Sequence, residues 1–364
     1  MNRTLSLIIP CYNEERTIAD CVSRVRDIAS DGLRLEIIVV DDASSDASLA
    51  VLGELSVKYP EITVLKHERN KGKGAAIRTG LIHATGDFVG IQDADAEYDP
   101  REYIPMLEPC LDGRADVVFG SRYLRPETRK VLYFWHTWMN KTLTFASNMF
   151  TNLDITDMET CYKLFRREVI QEIAPTLREE RFGFEPEVTA KVAQSGCKVY
   201  ECAISYNPRS YEEGKKIGWK DGLHALYCIL HYSAPTAPLP MQILLYLLIG
   251  FLSMAVNMSA FSALLSSGFV PGASIIAAFF IGAVFNYFLC IAILFRHKAR
   301  FSAMSEFVVY IVSVMVMCFI DYEVTLGLIG ITMSSFWAKF WGAITGFAGN
   351  FIIRRNLIFR EKKK

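Results

Sequence analysis

The sequence predicts a mostly parallel α/β domain over residues 1–238, followed by an all-α membrane domain over residues 239–364 with four spans. Three observations carry this. Short β-branched runs alternate with helical stretches in the first part. Polar motifs fall at the ends of those runs. No Asp, Glu, Lys or Arg occurs between Gly222 and Phe295.

Leu5–Ile9, Glu36–Val40, Thr63–Leu65, Phe88–Ile91 and Val117–Phe119 are rich in Val, Ile and Leu and read as strands. Asn13–Ser30, Asp46–Lys58, Gly74–Ala84 and Pro100–Leu111 read as the helices between them. This alternation implies parallel strands joined by crossover helices, so both sheet faces are covered. Ligands on such sheets sit beyond the carboxyl ends of the strands.

The chain is neutral overall, with 39 basic and 39 acidic residues, but neutrality hides a split. Residues 1–238 hold 35 acidic and 29 basic residues, and residues 239–364 hold 4 and 10. Neither part is basic enough on balance to argue for nucleic acid. The nine cysteines are scattered, odd in number and lack a Cys-x-x-Cys pair, which suits a reducing compartment and speaks against a structural zinc. Leu5–Pro10 is too short for a secretory signal, so the front domain is expected in the cytoplasm.

A helix needs about 20 apolar residues to cross a bilayer. Four segments approach this, about 241–264, 272–295, 304–322 and 333–353. A soluble bundle is disfavoured because the first two have no polar face. The short loop Arg296, His297, Lys298, Arg300 and the tail from Arg354 to Lys364 are basic, while the other two connections carry no Lys or Arg. Basic loops stay cytoplasmic, which puts both chain ends on that side of a cytoplasmic, multi-pass membrane protein. The pattern Asn286, Phe295, Arg296, Lys298 recurs 64 residues later as Asn350, Phe359, Arg360, Lys362. Two copies of a helical hairpin account for it, with each Asn suited to an interhelical hydrogen bond. This part resembles the GtrA-like family of four-helix membrane proteins linked to lipid-carried sugars.

In the front domain the strands run into Pro10-Cys-Tyr12-Asn13-Glu14, Asp41-Asp42, Gln92-Asp93-Ala-Asp95-Ala-Glu97 and Gly120-Ser121-Arg122. An Asp after a strand is often a helix cap, and Asp41 and Asp46 are open to that reading. Asp93-Ala-Asp95 is more specific. Alternate carboxylates leaving a strand offer hard oxygen ligands to Mg2+ or Mn2+, with diphosphate oxygens completing the shell. Glu97 adds a third oxygen to that stretch. Asn70-Lys71-Gly72-Lys73-Gly74 puts cations and pliant backbone at a helix start, which suits an anion.

These motifs resemble the inverting family 2 glycosyltransferases with a GT-A (Rossmann-like) fold, in the polyprenyl-phosphate branch typified by dolichol-phosphate mannose synthase. The likeness extends over residues 4–232. It implies that Pro10, Tyr12, Glu14, Asp42, Lys73, Arg78 and Asp93 bind the nucleotide. It also implies that Asp93, Asp95 and Glu97 hold the metal. Arg122, Asn140, Arg209, Lys215 and Lys216 are assigned to the acceptor phosphate, and Asp95, Arg122 and Asp157 to catalysis. The block Thr156–Lys163 corresponds to the floor of the sugar pocket, where Asp157 or Glu159 would orient hydroxyls. Arg209 to Trp219 reads as a basic loop closing over the phosphates. Val131–Phe150 and Leu223–Tyr232 mix aromatic, apolar and basic residues as helices at a bilayer surface do.

The expected activity is sugar transfer from a UDP- or GDP-linked donor to a polyprenyl phosphate, with glucose or mannose as the sugar. The expected partners are those two substrates and the lipid bilayer, with no nucleic acid; a homo-oligomer stays open. Two other classes compete. A processive polysaccharide synthase would carry Gln-x-x-Arg-Trp, which is absent. A lipid-linked-sugar flippase or scaffold would not need the intact carboxylates.

Overall fold

A computed structural model describes residues 3–30, 32–95, 97–124, 130–207, 219–295 and 303–331, with isolated positions 341, 345 and 349. The chain divides into two compact units, Met1–Pro238 and Leu239–Lys364.

The first unit is built on a seven-stranded sheet. Its strands are β1 (Arg3–Cys11), β2 (Leu33–Asp41), β3 (Ile62–Lys66), β4 (Phe88–Ile91), β5 (Val117–Ser121), β6 (Lys163–Arg166) and β7 (Val199–Ala203), in the order β3-β2-β1-β4-β6-β5-β7. All five expected strands form. β6 and β7 are additional, and β6 runs antiparallel to both of its neighbours. Its four residues, Lys-Leu-Phe-Arg, are too few and too charged at their ends to read as a strand. The reversal brings the start of β6, and the loop before it, to the edge where β1, β2, β4 and β5 end.

The helices are α1 (Ile18–Arg26), α2 (Ser48–Lys58), α3 (Lys73–His83), α4 (Tyr103–Leu111), α5 (Phe134–Thr151), α6 (Arg167–Ile173), α7 (Phe184–Ser195) and α8 (Trp219–Ser233). Leu5, Leu7 and Ile9 of β1 are fully buried and share a core with Ile18, Val22 and Val25 of α1. α3 lies on the opposite face. A Cβ at Gly80 would stand 2.2 Å from the Ile8 side chain, so glycine lets helix and strand meet.

The helix expected from Asn13 starts only at Ile18. Asn13 sits at φ 57 and accepts a hydrogen bond from the Ser45 amide at 2.8 Å. The Glu14 amide donates to Ser48 Oγ and the Glu15 amide to Asp46 Oδ2. Residues 13–17 thus form a loop locked to the one after β2, which leaves their side chains at the sheet edge. Asp46 also accepts from the Ser48 amide at 3.0 Å, one residue ahead of Ala47, the N-cap of α2, which has no side-chain cap bond.

α5 and α8 pack together, and their outer faces are apolar. Phe134, Trp135, Trp138 and Phe145 of α5 are exposed, Trp135 at 73%, as are Leu223, Leu226 and Tyr227 of α8.

In the second unit, α9 (Leu239–Ser266), α10 (Pro271–Leu289) and α11 (Ala303–Gly330) are described. Leu239–Leu264 is long and apolar enough to cross a bilayer, and Phe280–Ile293 is a shorter apolar stretch. α11 runs past Asp321 and Glu323, where the sequence suggested an end. Asn286 donates to Ser253 Oγ at 3.0 Å, the interhelical bond its repeat position suggests. A Cβ at Gly282 would come within 3.0 Å of Asn257 Cβ, so α9 and α10 approach closely there. Asn350 and the fourth expected span, 333–353, lie outside the described residues apart from single positions.

Candidate active site

A pocket of about 720 Å³ opens at the carboxyl edge of the sheet. Its wall includes Pro10, Tyr12 and Glu14 after β1, Asp42 after β2, Lys73 at the start of α3, Asp93, Asp95 and Glu97 after β4, and Arg122 after β5. Parallel strands account for this gathering, because each delivers its following loop to the same edge. Tyr12 is 38% exposed at the rim, a ring placed to lie against a flat ligand.

Asp42 is buried, and its carboxylate organises the neighbouring loop. It accepts from the Lys71 amide at 2.9 Å and the Gly72 amide at 2.7 Å, and its Oδ1 is 2.6 Å from His67 Nδ1. His67 Nε2 is in turn 2.9 Å from Thr79 Oγ1. Gly72 has φ 97, and a Cβ on it would lie 2.4 Å from the Glu180 carbonyl oxygen. Glycine is required there on both counts. The Ala75 amide donates to that same carbonyl at 3.1 Å. The loop therefore lies backbone to backbone against residues 179–181, and it points Lys73 into the pocket.

Lys73 Nζ stands 2.7 Å from Asp93 Oδ1. Burial opposes the lysine charge, but Asp93 outweighs it and raises the Lys73 pKa well above its ordinary value. The carboxylates of Asp93, Asp95 and Glu97 line one wall without meeting at a single point. Asp95 Oδ1 accepts from the Glu97 amide at 3.2 Å. This arrangement still fits a magnesium-type ion, which takes one or two carboxylates and fills its shell with phosphate oxygens and water.

Arg122 lines the same pocket. Its Nε donates to Asp157 Oδ2 at 2.6 Å and its Nη2 to Asp157 Oδ1 at 2.8 Å, while its backbone amide reaches Oδ2 at 3.1 Å. The guanidinium is 5.0 Å from the Tyr206 ring centre. Burial works against the charge, but Asp157 holds the Arg122 pKa far above its usual value. Asp157 is fully buried and does not line the pocket. It holds Arg122 from behind through both carboxylate oxygens.

Two further expected site residues lie off the pocket wall. Arg78 donates to the Leu177 carbonyl at 3.1 Å and is not on the pocket wall, because its place on α3 turns it toward the segment before α7. Asn140 is buried on the inner face of α5 and accepts from Thr144 at 3.4 Å, with no place on the wall. Thr144 in turn accepts from the Met158 amide at 3.1 Å, so this face supports the floor segment. Arg209, Lys215 and Lys216 lie outside the described residues.

Glu159 and Cys161, from the expected floor block, line the pocket, and the structure adds Arg181, Phe182, Glu185, Tyr206 and Asp221, which no spacing rule reveals. Burial, and then the nearby Glu185 carboxylate, push the Glu159 pKa up to about 8. Among the described residues its buried Oε1 has no hydrogen-bond partner. Burial raises Glu185 as well. The raised pKa favours the protonated form of Glu159 near neutral pH, in which its carboxyl can donate as well as accept. Behind it the fully buried Lys163 amine donates to the carbonyls of Met158 and Thr160.

Residues 6–174 match the glycosyl transferase family 2 profile, and residues 245–359 match the GtrA/DPMS transmembrane domain. The chain carries a family 2 glycosyltransferase domain followed by a GtrA/DPMS transmembrane domain, which associates it with a membrane. It is 31% identical over 218 residues to a dolichol-phosphate mannosyltransferase of Pyrococcus furiosus, covering 59% of each chain. It is 28% identical to a dolichyl-phosphate β-glucosyltransferase of Trichomonas vaginalis, covering 56% of this chain and 65% of the relative. It is 29% identical to a polyprenol monophosphomannose synthase of Mycolicibacterium smegmatis, covering 59% and 82%. The chain thus spans less than two thirds of the first two of these relatives. A solved glucosyl-3-phosphoglycerate synthase of Mycobacterium tuberculosis superposes with a TM-score of 0.48 at 17% identity, covering 65% of this chain and 80% of that one. That likeness is too slight to carry a conclusion.

Proposed function

We propose that the protein is a membrane-bound, inverting glycosyltransferase that moves a hexose from a nucleotide-sugar to a polyprenyl phosphate. The observation that carries this reading is one pocket whose wall holds Asp93, Asp95 and Lys73 together with the Asp157-held Arg122. Two anionic groups brought to such a pocket, a leaving diphosphate and an attacking phosphate, each find counter-charge.

In this reading the loop of Pro10, Tyr12 and Glu14 holds base and ribose. Lys73, at the start of α3, faces the diphosphate. Asp93 and Asp95, with Glu97 beside them, hold Mg2+ or Mn2+. That cation, when bound, offsets the charge that builds on the leaving diphosphate. Arg122 holds the acceptor phosphate, oriented by two bonds to Asp157. A phosphate monoester has its second pKa near 6, so near neutral pH the acceptor is already anionic and needs no strong base from the protein. Attack from the side opposite the leaving group inverts the anomeric carbon. Arg209, Lys215 and Lys216 are proposed to meet the phosphates as well.

The exposed aromatic faces of α5 and α8 support a domain that works at a bilayer surface, where rings sit at headgroup level. Residues 1–238 form the catalytic domain and residues 239–364 a four-span membrane domain, with both ends cytoplasmic. UDP-glucose is the first donor to test and GDP-mannose the second. The test is a screen of radiolabelled nucleotide sugars against a short polyprenyl phosphate with the full chain in detergent. Counts entering the organic phase support the reading; counts confined to the aqueous phase for every donor sink it.

A further inference from the structure

Among the described residues, one cluster of metal-ligating side chains lies off the pocket wall. Glu179, His224 and Cys228 each bring one ligand atom to a common point, all within 4.8 Å of one another. His224 and Cys228 are four residues apart on α8 and so share a face. Glu179 comes from the segment before α7.

The spacing suits a tetrahedral ion. Zinc binds imidazole nitrogen at about 2.0–2.1 Å and thiolate at about 2.3 Å, so a tetrahedral N···S edge is about 3.5–3.6 Å. His224 Nε2 and Cys228 Sγ are 3.5 Å apart. His224 Nε2 and Glu179 Oε2 are 2.8 Å apart, a direct hydrogen bond. A tetrahedral N···O edge is about 3.3 Å, so the carboxylate would step back by about half an ångström.

Two neighbours are arranged around the trio. A Cβ at Gly183 would lie 2.4 Å from Glu179 Oε2 and 2.8 Å from Cys228 Sγ. Gly183 has φ −78, which any residue adopts, so space beside the ligand atoms is what calls for glycine. Tyr232 donates to Glu179 Oε1 at 2.8 Å, which leaves Oε2 to face the imidazole. Such outer hydrogen bonds orient metal-ligating carboxylates. The His224 side chain is 46% exposed and gives an ion a way in.

We propose that Glu179, His224 and Cys228 form a zinc site, with water as the fourth ligand; this departs from the sequence reading against a structural zinc, because the trio uses one cysteine and a distant glutamate rather than a Cys-x-x-Cys pair. A thiolate and an imidazole favour zinc over magnesium or manganese. On binding, the Cys228 thiol gives its proton to solvent and the imidazole binds in its neutral form. The ion ties α8 to the segment that contributes Arg181 and Phe182 to the pocket wall. It therefore braces the pocket without entering it, and it differs in place and chemistry from a cation on Asp93 and Asp95.

The test uses the untagged full chain in detergent, stripped with a chelator, loaded with Zn2+, freed of excess and measured for metal. The wild type should retain about one zinc per chain, and His224→Gln and Cys228→Ser should each fall to background. Cobalt loading should give a thiolate-to-cobalt absorption in the wild type, a readout that needs no variant. The proposal is overturned if the wild type retains no zinc, if both variants retain as much as the wild type, or if cobalt-loaded wild type shows no thiolate band.

Discussion

Arg122 and Asp157 are joined by two side-chain hydrogen bonds of 2.6 and 2.8 Å, with Asp157 sealed from solvent and Arg122 on the pocket wall. Removing one partner leaves a buried charge alone, which costs about 3–5 kcal/mol. Asp157→Asn should therefore lower the melting temperature clearly and cut transfer through a displaced Arg122. The double change Arg122→Met with Asp157→Leu should regain much of the stability and none of the transfer. Thermal melts and transfer assays on the single and double variants check both halves.

Asp95→Asn should reduce metal-dependent transfer by about 100-fold or more, since a cation that balances diphosphate charge is worth several kcal/mol. The fold should survive, because Asp95 lines an open pocket rather than the core. Transfer measured across a magnesium or manganese titration tests this, and near-normal rates in the variant would disprove the metal assignment.

Gly72→Ala should destabilise the protein by more than about 1 kcal/mol, because alanine resists φ 97 and its methyl would meet the Glu180 carbonyl. The loop that presents Lys73 should shift with it. A raised KM for the donor, with a smaller effect on the KM for lipid acceptor, is the expected kinetic result.

Glu159 ties stability to pH. Its pKa rises to about 8 in the folded protein, while in the unfolded chain it titrates as an ordinary carboxylate. Below the ordinary carboxylate range both states are protonated and the residue contributes nothing. As pH rises toward about 8 the unfolded chain ionises first, so stability falls through this window and levels off above it. Glu159→Gln should flatten that fall. Melting temperatures of both proteins at pH 5 and pH 8 provide the comparison.

Much of the candidate site is legible in the sequence itself. Strands that end in Pro10, Asp41-Asp42, Asp93-Ala-Asp95 and Arg122 announce themselves by an apolar run followed at once by polar groups, and parallel topology brings such ends together. β6 was not legible, because a charged four-residue strand has no period of its own and exists through pairing with β4 and β5. Glu159, Cys161 and Glu185 reach the pocket through that reversed strand and through α7, and no spacing along the chain connects them to Asp93.

The polarity of the two parts, the alternation of strand and helix, and the carboxylates at strand ends follow from local pattern, which depends on neighbours a few residues away. Which way a side chain faces does not. Asp157, Arg78 and Asn140 have the residue types of a phosphate or sugar site, yet packing turns them to Arg122, Leu177 and Thr144. Likewise Glu179 meets His224 across 45 residues of chain and Cys228 four residues further on, a meeting made by the packing of α8 beside α7. Contacts of that kind depend on how helices settle on the sheet, and side-chain burial there decides charge, partner and role.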